Sequence, residues 1–477
     1  MGNEFGAARQ NAAGTRQYNR VVMERAGFSF EDATIVAVST PPGRGGIGIV
    51  RLSGPAAKGI AEGLVELRRP LAAGRVRFGR VMDRASENGE ALDEAVVTYF
   101  QAPHSYTAED VVEIAAHGSP AVMEYIVRAC CEAGARLAEP GEFTQRAFLR
   151  GRIDLTQAEA VDDLIRSQTM EQARVAARQL GGALSRVVGP VKRRLIELIG
   201  DVEAGMNFAE DDVDVLPDAV IAERIEAVAG PLRELAGSFR YGRVVRQGFT
   251  LAIVGRPNAG KSSLFNRLVE RGRAIVTAVP GTTRDLVTER VSLDGIPVEV
   301  VDTAGLRVSH DEVEALGIAK SREAMADADV VLVVVDAAVG FGSEEERLIE
   351  ELEGRGHLVV WNKWDLIKDG SAAGAGIRTS ALSGEGIREL RRAVVELVSG
   401  GGASQGEAMV TNLRQQQAVE SAGLALERAR RSLEGGMPHE VVLLDFYEGL
   451  RALDGLTGAT SNDDILHLIF GRFCIGK

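Results

Sequence analysis

FTLAIVGRPNAGKSSLFNRLVE, Phe249 to Glu270, runs from an apolar strand through a glycine-bearing loop into a helical pattern. That context gives the G-x-x-x-x-G-K-S spacing a mechanism. The glycines let successive backbone N–H groups wrap phosphate oxygens, Lys261 reaches the β and γ oxygens, and the Ser262 hydroxyl is placed for Mg²⁺. Asn258, Ala259, Gly260, Lys261, Ser262 and Ser263 are therefore the expected nucleotide-binding segment, with Lys261 also expected to act in catalysis. Working outward, the apolar runs VEVVD, VVLVVVD and HLVVWN recur between helical segments. This alternation predicts a parallel sheet covered on both faces, an α/β P-loop domain of Ras-like type.

Further loops at strand ends select the nucleotide. DTAG, Asp302, Thr303, Ala304 and Gly305, follows VEVV, so the Asp302 carboxylate can hold the Mg²⁺ shell while the Gly305 N–H faces the γ-phosphate. NKWD, beginning Asn362–Lys363 and ending at Asp365, closes HLVVWN; its aspartate can accept from both N1–H and the 2-amino group of guanine. Adenine offers neither donor, so GTP is expected over ATP. TSAL, with Ser380 and Ala381, can bring a backbone N–H to guanine O6. GTTRD, Gly281 to Asp285, can offer Thr283 to Mg²⁺ when the γ-phosphate is present.

Water activation departs from the Ras pattern, because Leu306 stands where a water-orienting glutamine would follow DTAG. Asn258 is suited to a monovalent cation beside the phosphates, and Glu314 to activating water from a switch segment. The residues alone favour the other reading of Glu314, a solvated charge among Asp311 and Glu312.

The remaining chain divides by texture. Residues 1–30 read as a flexible extension, with no apolar core of a secretory signal. Residues 31–150 alternate β-rich runs, TIVAVS, GIGIVRLSG and EAVVTYF, with a helical AAKGIAEGLVEL, and read as an α+β domain. Helical periodicity fills 151–247 and returns in 401–477 after the glycine-rich VSGGGASQGEA, so the α/β block at 248–400 is expected as an insertion into an α-helical domain. No apolar run approaches the roughly 20 residues of a membrane span. Three cysteines, two adjacent at Cys130 and Cys131, fit a reducing cytoplasm and no disulfide framework. A net charge of −13 argues against nonspecific nucleic-acid binding driven by phosphate neutralisation alone.

TPPGRGGIGIVRLSG, SYTAEDVVEIAAHG, EPGEFTQRAFLRGRIDLTQAEAVDDLI, the GTPase loops and the terminal CIGK together resemble the bacterial tRNA modification GTPases of the MnmE/TrmE family, from about Ala33 to Lys477. The resemblance implies a homodimer, dimerising through the 31–150 domain, that acts with the flavin-binding partner MnmG to place a carboxymethylaminomethyl or aminomethyl group at C5 of the wobble uridine of certain tRNAs. FAD then belongs to the partner, since no dinucleotide-binding fingerprint occurs here. It also implies a 5,10-methylene- or 5-formyl-tetrahydrofolate site on Arg51, Glu113, Arg152 and Lys477, with Arg152 where the family pattern has lysine. Asn258, Thr277, Val279 and Thr282 match a potassium site; Thr277 and Thr282 also fall among the GTP-binding positions, and Glu314 matches the general base. Asn207 stands where the family pattern has aspartate. Cys474 matches a family cysteine, which implies a part in the modification chemistry; packing beside Phe473 and Ile475 is the alternative from the residues alone. The competing function is a regulatory or ribosome-assembly GTPase, which shares the GTPase loops but needs neither a folate site nor CIGK.

Overall fold

The computed structural model describes residues 33–84, 86, 89–207, 216–269, 288–302, 327–367, 374–401, 408–459, 473 and 476. The 1–30 extension and most of the glycine-rich linker after residue 400 lie outside them. Described residues form two compact units, one within 1–162 and 454–477, the other within 163–453.

The first unit contains strands β1 (Ile35–Val38), β2 (Gly45–Ser53), β3 (Val65–Leu67), β4 (Val76–Met82), β5 (Ala91–Phe100), β6 (Val111–Gly118) and β7 (Arg136–Leu137). They form one sheet in the order β3-β4-β5-β6-β2-β1-β7, antiparallel except for β1 against β7. Period-two alternation divides the faces. Val36, Val50, Leu52 and Ile114 pack with helices α1 (Ala57–Leu64) and α2 (Pro120–Glu132), while Ile35 and Ala37 face Phe143 of α3 (Glu142–Leu149). The expected helix AAKGIAEGLVEL stops at Leu64. Val65–Leu67 instead pairs with β4, because a strand partner outweighs helical spacing in so short a run.

Helix α4 (Leu155–Arg166) leads into the second unit, with α5 (Met170–Leu180), α6 (Ala183–Asn207), α7 (Asp218–Gly237) and α8 (Phe239–Gln247). The helical run expected from Thr156 is broken between α4 and α5. There Thr169 caps α5 through Gln172 N–H while the Gln172 side chain returns to the Thr169 N–H, a reciprocal box that starts a new helix. Then follow β8 (Phe249–Val254), α9 (Lys261–Val269), β9 (Thr288–Leu293), β10 (Ile296–Asp302), β11 (Val330–Asp336), α10 (Ser343–Glu351), β12 (His357–Asn362), β13 (Ile377–Arg378) and α11 (Ile387–Ser399).

The second sheet has the order β13-β12-β11-β8-β10-β9. Its strands are parallel except for β9, so the expectation of a parallel sheet holds at the centre and fails at one edge. Asp294 and Gly295, both with positive φ, close a two-residue hairpin between β9 and β10. Helices α12 (Leu413–Glu434) and α13 (His439–Thr457) are the last of the described helices, and α12 packs along α7. After the sheet the chain returns to the helices that precede it: Val410 N–H donates to the Ser238 hydroxyl at 3.0 Å, and the Gln179 amide donates to the Met409 carbonyl.

Candidate functional site

In the second unit, three loops converge at the C-terminal ends of β8 and β12. The loop after β8 turns through Gly255 (φ +141°), Asn258 (φ +60°) and Gly260 (φ +87°), and Leu264 N–H to Gly260 O at 2.9 Å starts α9. Such positive-φ residues turn successive N–H groups toward one concavity, the chemistry an anion requires. Gly255 is confined by packing: a Cβ there would overlap the Val334 carbonyl oxygen of β11. Lys261 Nζ donates to the Gly255 and Arg256 carbonyls at 2.7 and 2.8 Å, which holds it across the mouth of the loop. Ser262 and Ser263 lie in the first turn of α9, and Ala259 is buried beneath the loop.

Asn362 joins all three loops. Buried at the end of β12, it donates to the Ala259 carbonyl at 2.9 Å and accepts from the Ala381 N–H at 3.1 Å. Lys363 follows at φ +60°, with Nζ 2.6 Å from the Asp336 carboxylate. Asp365 is exposed on the short 3₁₀ turn Trp364–Leu366, free to face a base. Ser380 is fully buried; its hydroxyl accepts from Ser383 N–H at 3.0 Å and shapes the loop. Asp302 ends β10 opposite Ile253 of β8, so its backbone adjoins the phosphate loop. Thr277, Val279, Thr282, Thr283, Thr303, Ala304, Gly305, Leu306 and Glu314 lie outside the described residues.

The first unit brings together another set. Arg51 on β2 and Glu113 on β6 are directly opposed in register, and Arg51 Nε and Nη2 donate to Glu113 Oε1 at 2.9 and 2.7 Å. Both contacts fall on Oε1, and Glu113 Oε2 has no partner among the described residues. The guanidinium groups of Arg51 and Arg152 lie 5.4 and 5.3 Å from the centre of the Tyr106 ring. Tyr106 is anchored through its hydroxyl to Thr144 at 2.8 Å. Burial raises the Tyr106 hydroxyl pKa, and the Thr144 hydrogen bond and the two arginines only partly oppose that. Gly476 reaches this set: its carbonyl accepts from Ser39 Oγ at 3.1 Å and Arg51 Nη1 at 3.4 Å. Cys474 and Lys477 lie outside the described residues.

A model of the MnmE helical domain matches residues 155–474, and one of the N-terminus of the GTP-binding protein TrmE matches residues 34–152. The tRNA modification GTPase MnmE of Koribacter versatilis is 57% identical over 453 residues, covering 94% of this chain and 99% of the relative. The chain belongs to the MnmE family of tRNA modification GTPases. The MnmE of Symbiobacterium thermophilum, 42% identical over 460 residues, covers 94% of this chain and 100% of its own length. This MnmE-family chain is accordingly a GTP-binding GTP hydrolase, a multidomain protein with a Ras-like GTPase domain. No helix among its described residues is long and apolar enough to cross a membrane.

Several side chains at these sites escape motif reading in this MnmE-family protein. Asp336 ends the run VVLVVVD as an ordinary strand terminus and shows its role only through the ion pair with Lys363. Tyr106 and Thr144 lie inside quoted family stretches, yet nothing in their spacing pairs them. Cys130 and Cys131 are free, and burial pushes the Cys130 thiol up to about 12, so it is a packing residue. The overlap at Gly255 also carries a prediction. Gly255→Ala must both strain its backbone and displace the β11 carbonyl, so thermal unfolding should show a loss of about 2–3 kcal/mol and titration a severe loss of GDP affinity.

Proposed function

We propose that this chain is the GTP-hydrolysing member of a tRNA wobble-uridine modification system. GTP is held by Asn258 to Ser263, by Thr277, Thr282 and Thr283, by Asp302 to Gly305 and by the Asn362, Lys363, Asp365, Ser380 and Ala381 loops. Ser262 and Thr283 hold Mg²⁺, which shields charge on the phosphates. Asn258, Thr277, Val279 through its carbonyl, and Thr282 hold K⁺, which fills the electrostatic place of an arginine finger. Lys261 binds the β and γ oxygens, and Glu314 takes the proton of the attacking water, a task Leu306 cannot perform.

Arg51, Glu113, Arg152 and Lys477 hold the tetrahydrofolate derivative, which when bound supplies the one-carbon unit. Glu113 suits the pterin edge and the cations suit its glutamate tail. Cys474 works in the modification chemistry. The protein acts in the cytoplasm as a homodimer with the flavin-binding MnmG, whose surface supplies much of the tRNA contact.

The observation that carries this reading over a regulatory GTPase is the Gly476 carbonyl on Ser39 and Arg51, which ties the CIGK segment to the Arg51–Glu113 pair. A pure switch has no use for that contact. The test is mass spectrometry of nucleosides from total tRNA after deletion of the gene and its restoration, with the natural chain or with Cys474→Ser. The expected result is loss of 5-substituted wobble uridines on deletion, return with the natural chain and no return with Cys474→Ser. An unchanged profile on deletion overturns the modification reading; full return with Cys474→Ser removes the role of the thiol.

A further inference from the structure

We infer that Arg378 is a positioning residue for guanine discrimination, acting through the Trp364 indole. The inference rests on Asp365 reading the base. Asp365 is exposed, so its aim depends on the 3₁₀ turn that carries it. That turn is fixed on both sides by side chains outside the loop motifs. On one side Lys363, in a left-handed conformation that a non-glycine residue adopts only under constraint, is tied by Nζ to the Asp336 carboxylate at 2.6 Å. On the other, the Trp364 indole packs inward against Val335, Ala337 and Trp361, and the Arg378 guanidinium lies 4.7 Å from the indole centre.

The Arg378 side chain forms no ion pair or hydrogen bond among the described residues; its described partner is the indole. Its backbone position gives the contact leverage. Arg378 ends β13 and leads directly into Thr379–Leu382, whose Thr379 N–H donates to Trp361 O at 2.7 Å while Trp364 N–H donates to Thr379 O at 3.0 Å. The stacked cation thus clamps the segment that reads the 2-amino edge of guanine to the one whose Ala381 N–H is held by Asn362. A guanidinium over an indole face is the favoured form of this contact, and an ammonium retains part of it.

The test uses the full chain titrated with GDP and with IDP, whose base lacks the 2-amino group that Asp365 accepts from. Arg378→Ala is expected to weaken GDP about three- to fivefold and IDP less, reducing the GDP:IDP preference. Arg378→Lys should keep most of the preference. Trp364→Leu, which preserves apolar packing, should lose it as Arg378→Ala does, and the double variant should be no worse than either single one. Both tryptophans of the chain, Trp361 and Trp364, flank this site, so the emission change on GDP binding is an independent readout expected to shrink in Arg378→Ala. An unchanged preference in Arg378→Ala, equal weakening of GDP and IDP, or additive single effects would overturn the inference. Asp365→Asn, run in parallel, separates the two levels: if it still prefers guanine to xanthine, the base-reading assignment fails and the inference with it. If it reverses that preference while Arg378→Ala changes nothing, only the role of Arg378 fails.

Discussion

Asp365→Asn is expected to convert the nucleotide site from a preference for guanine to one for xanthine. In the proposed reading the Asp365 carboxylate accepts from two donors, N1–H and the 2-amino group, and both bonds are charge-assisted. At about 1.5–3 kcal/mol for a hydrogen bond to a charged group, losing the bond to the 2-amino group, setting two donors against each other there and removing the charge from the N1–H bond should together weaken GDP by about 3–5 kcal/mol, roughly two to four decades. Asparagine keeps one acceptor for N1–H and turns a donor toward the second position, where xanthine presents a carbonyl oxygen. XDP should therefore bind the variant better than GDP does, with the reverse order in the natural chain. Because Asp365 is exposed on its turn, the substitution leaves folding stability within about 0.5 kcal/mol, so the change in binding is not a folding defect. Isothermal titration of both nucleotides with both chains, beside a thermal melt, decides it. Retained guanine preference in the variant would place base recognition elsewhere.

What can be read from the chain before the structure depends on the range of the interaction. Val330–Asp336 announces a central strand because six successive apolar residues, five of them valine, have nowhere to go but a sheet buried on both faces. The phosphate loop and the guanine loops are equally local, each a fixed spacing at a strand end. The β9–β10 hairpin was also legible, in the Asp294–Gly295 dipeptide between two β-rich runs, but the expectation of purely parallel strands masked it. Val65–Leu67 failed for a different reason, since its conformation is settled by β4 and not by its own spacing. The Arg51–Glu113 pair spans 62 residues and exists only through strand register, so no periodicity finds it; the family resemblance named each residue singly but not their pairing. Asp336 and Arg378 lacked even that aid. Their roles lie in a 2.6 Å ion pair and a 4.7 Å stacking distance, which are properties of the folded chain alone.

Arg146→Ala should be among the most damaging substitutions in the first unit, although Arg146 is no expected ligand contact. Arg146, Glu109 and Glu142 are each only 4% exposed in their side chains, so three charges are buried together. Arg146 donates to Glu109 at 3.1 Å, to Glu142 at 2.9 Å and to the Ala33 carbonyl at 3.0 Å. Removing it strands two buried carboxylates. The full cost of breaking a buried pair is about 3–5 kcal/mol. The half-exposed Arg150 and Arg136 still reach Glu109 and Glu142, so about 3 kcal/mol is expected, read as roughly hundredfold faster hydrogen exchange in β6 and α3. A pH series identifies the cause. Burial would raise the Glu142 carboxyl, but hydrogen bonds from Arg136 and the Glu139 N–H, with the charge and hydrogen bond of Arg146, outweigh it and hold the pKa below the ordinary carboxylate value. A depressed folded-state pKa contributes stability that is fully present above the unfolded value, near 4.3, and is lost as pH falls through the folded one. The natural chain should therefore lose protection in β6 and α3 steeply below that pH, whereas Arg146→Ala, its Glu142 no longer so depressed, should start lower and fall less. Equal acid slopes in the two chains would mean that Arg146 contributes by packing and not by charge.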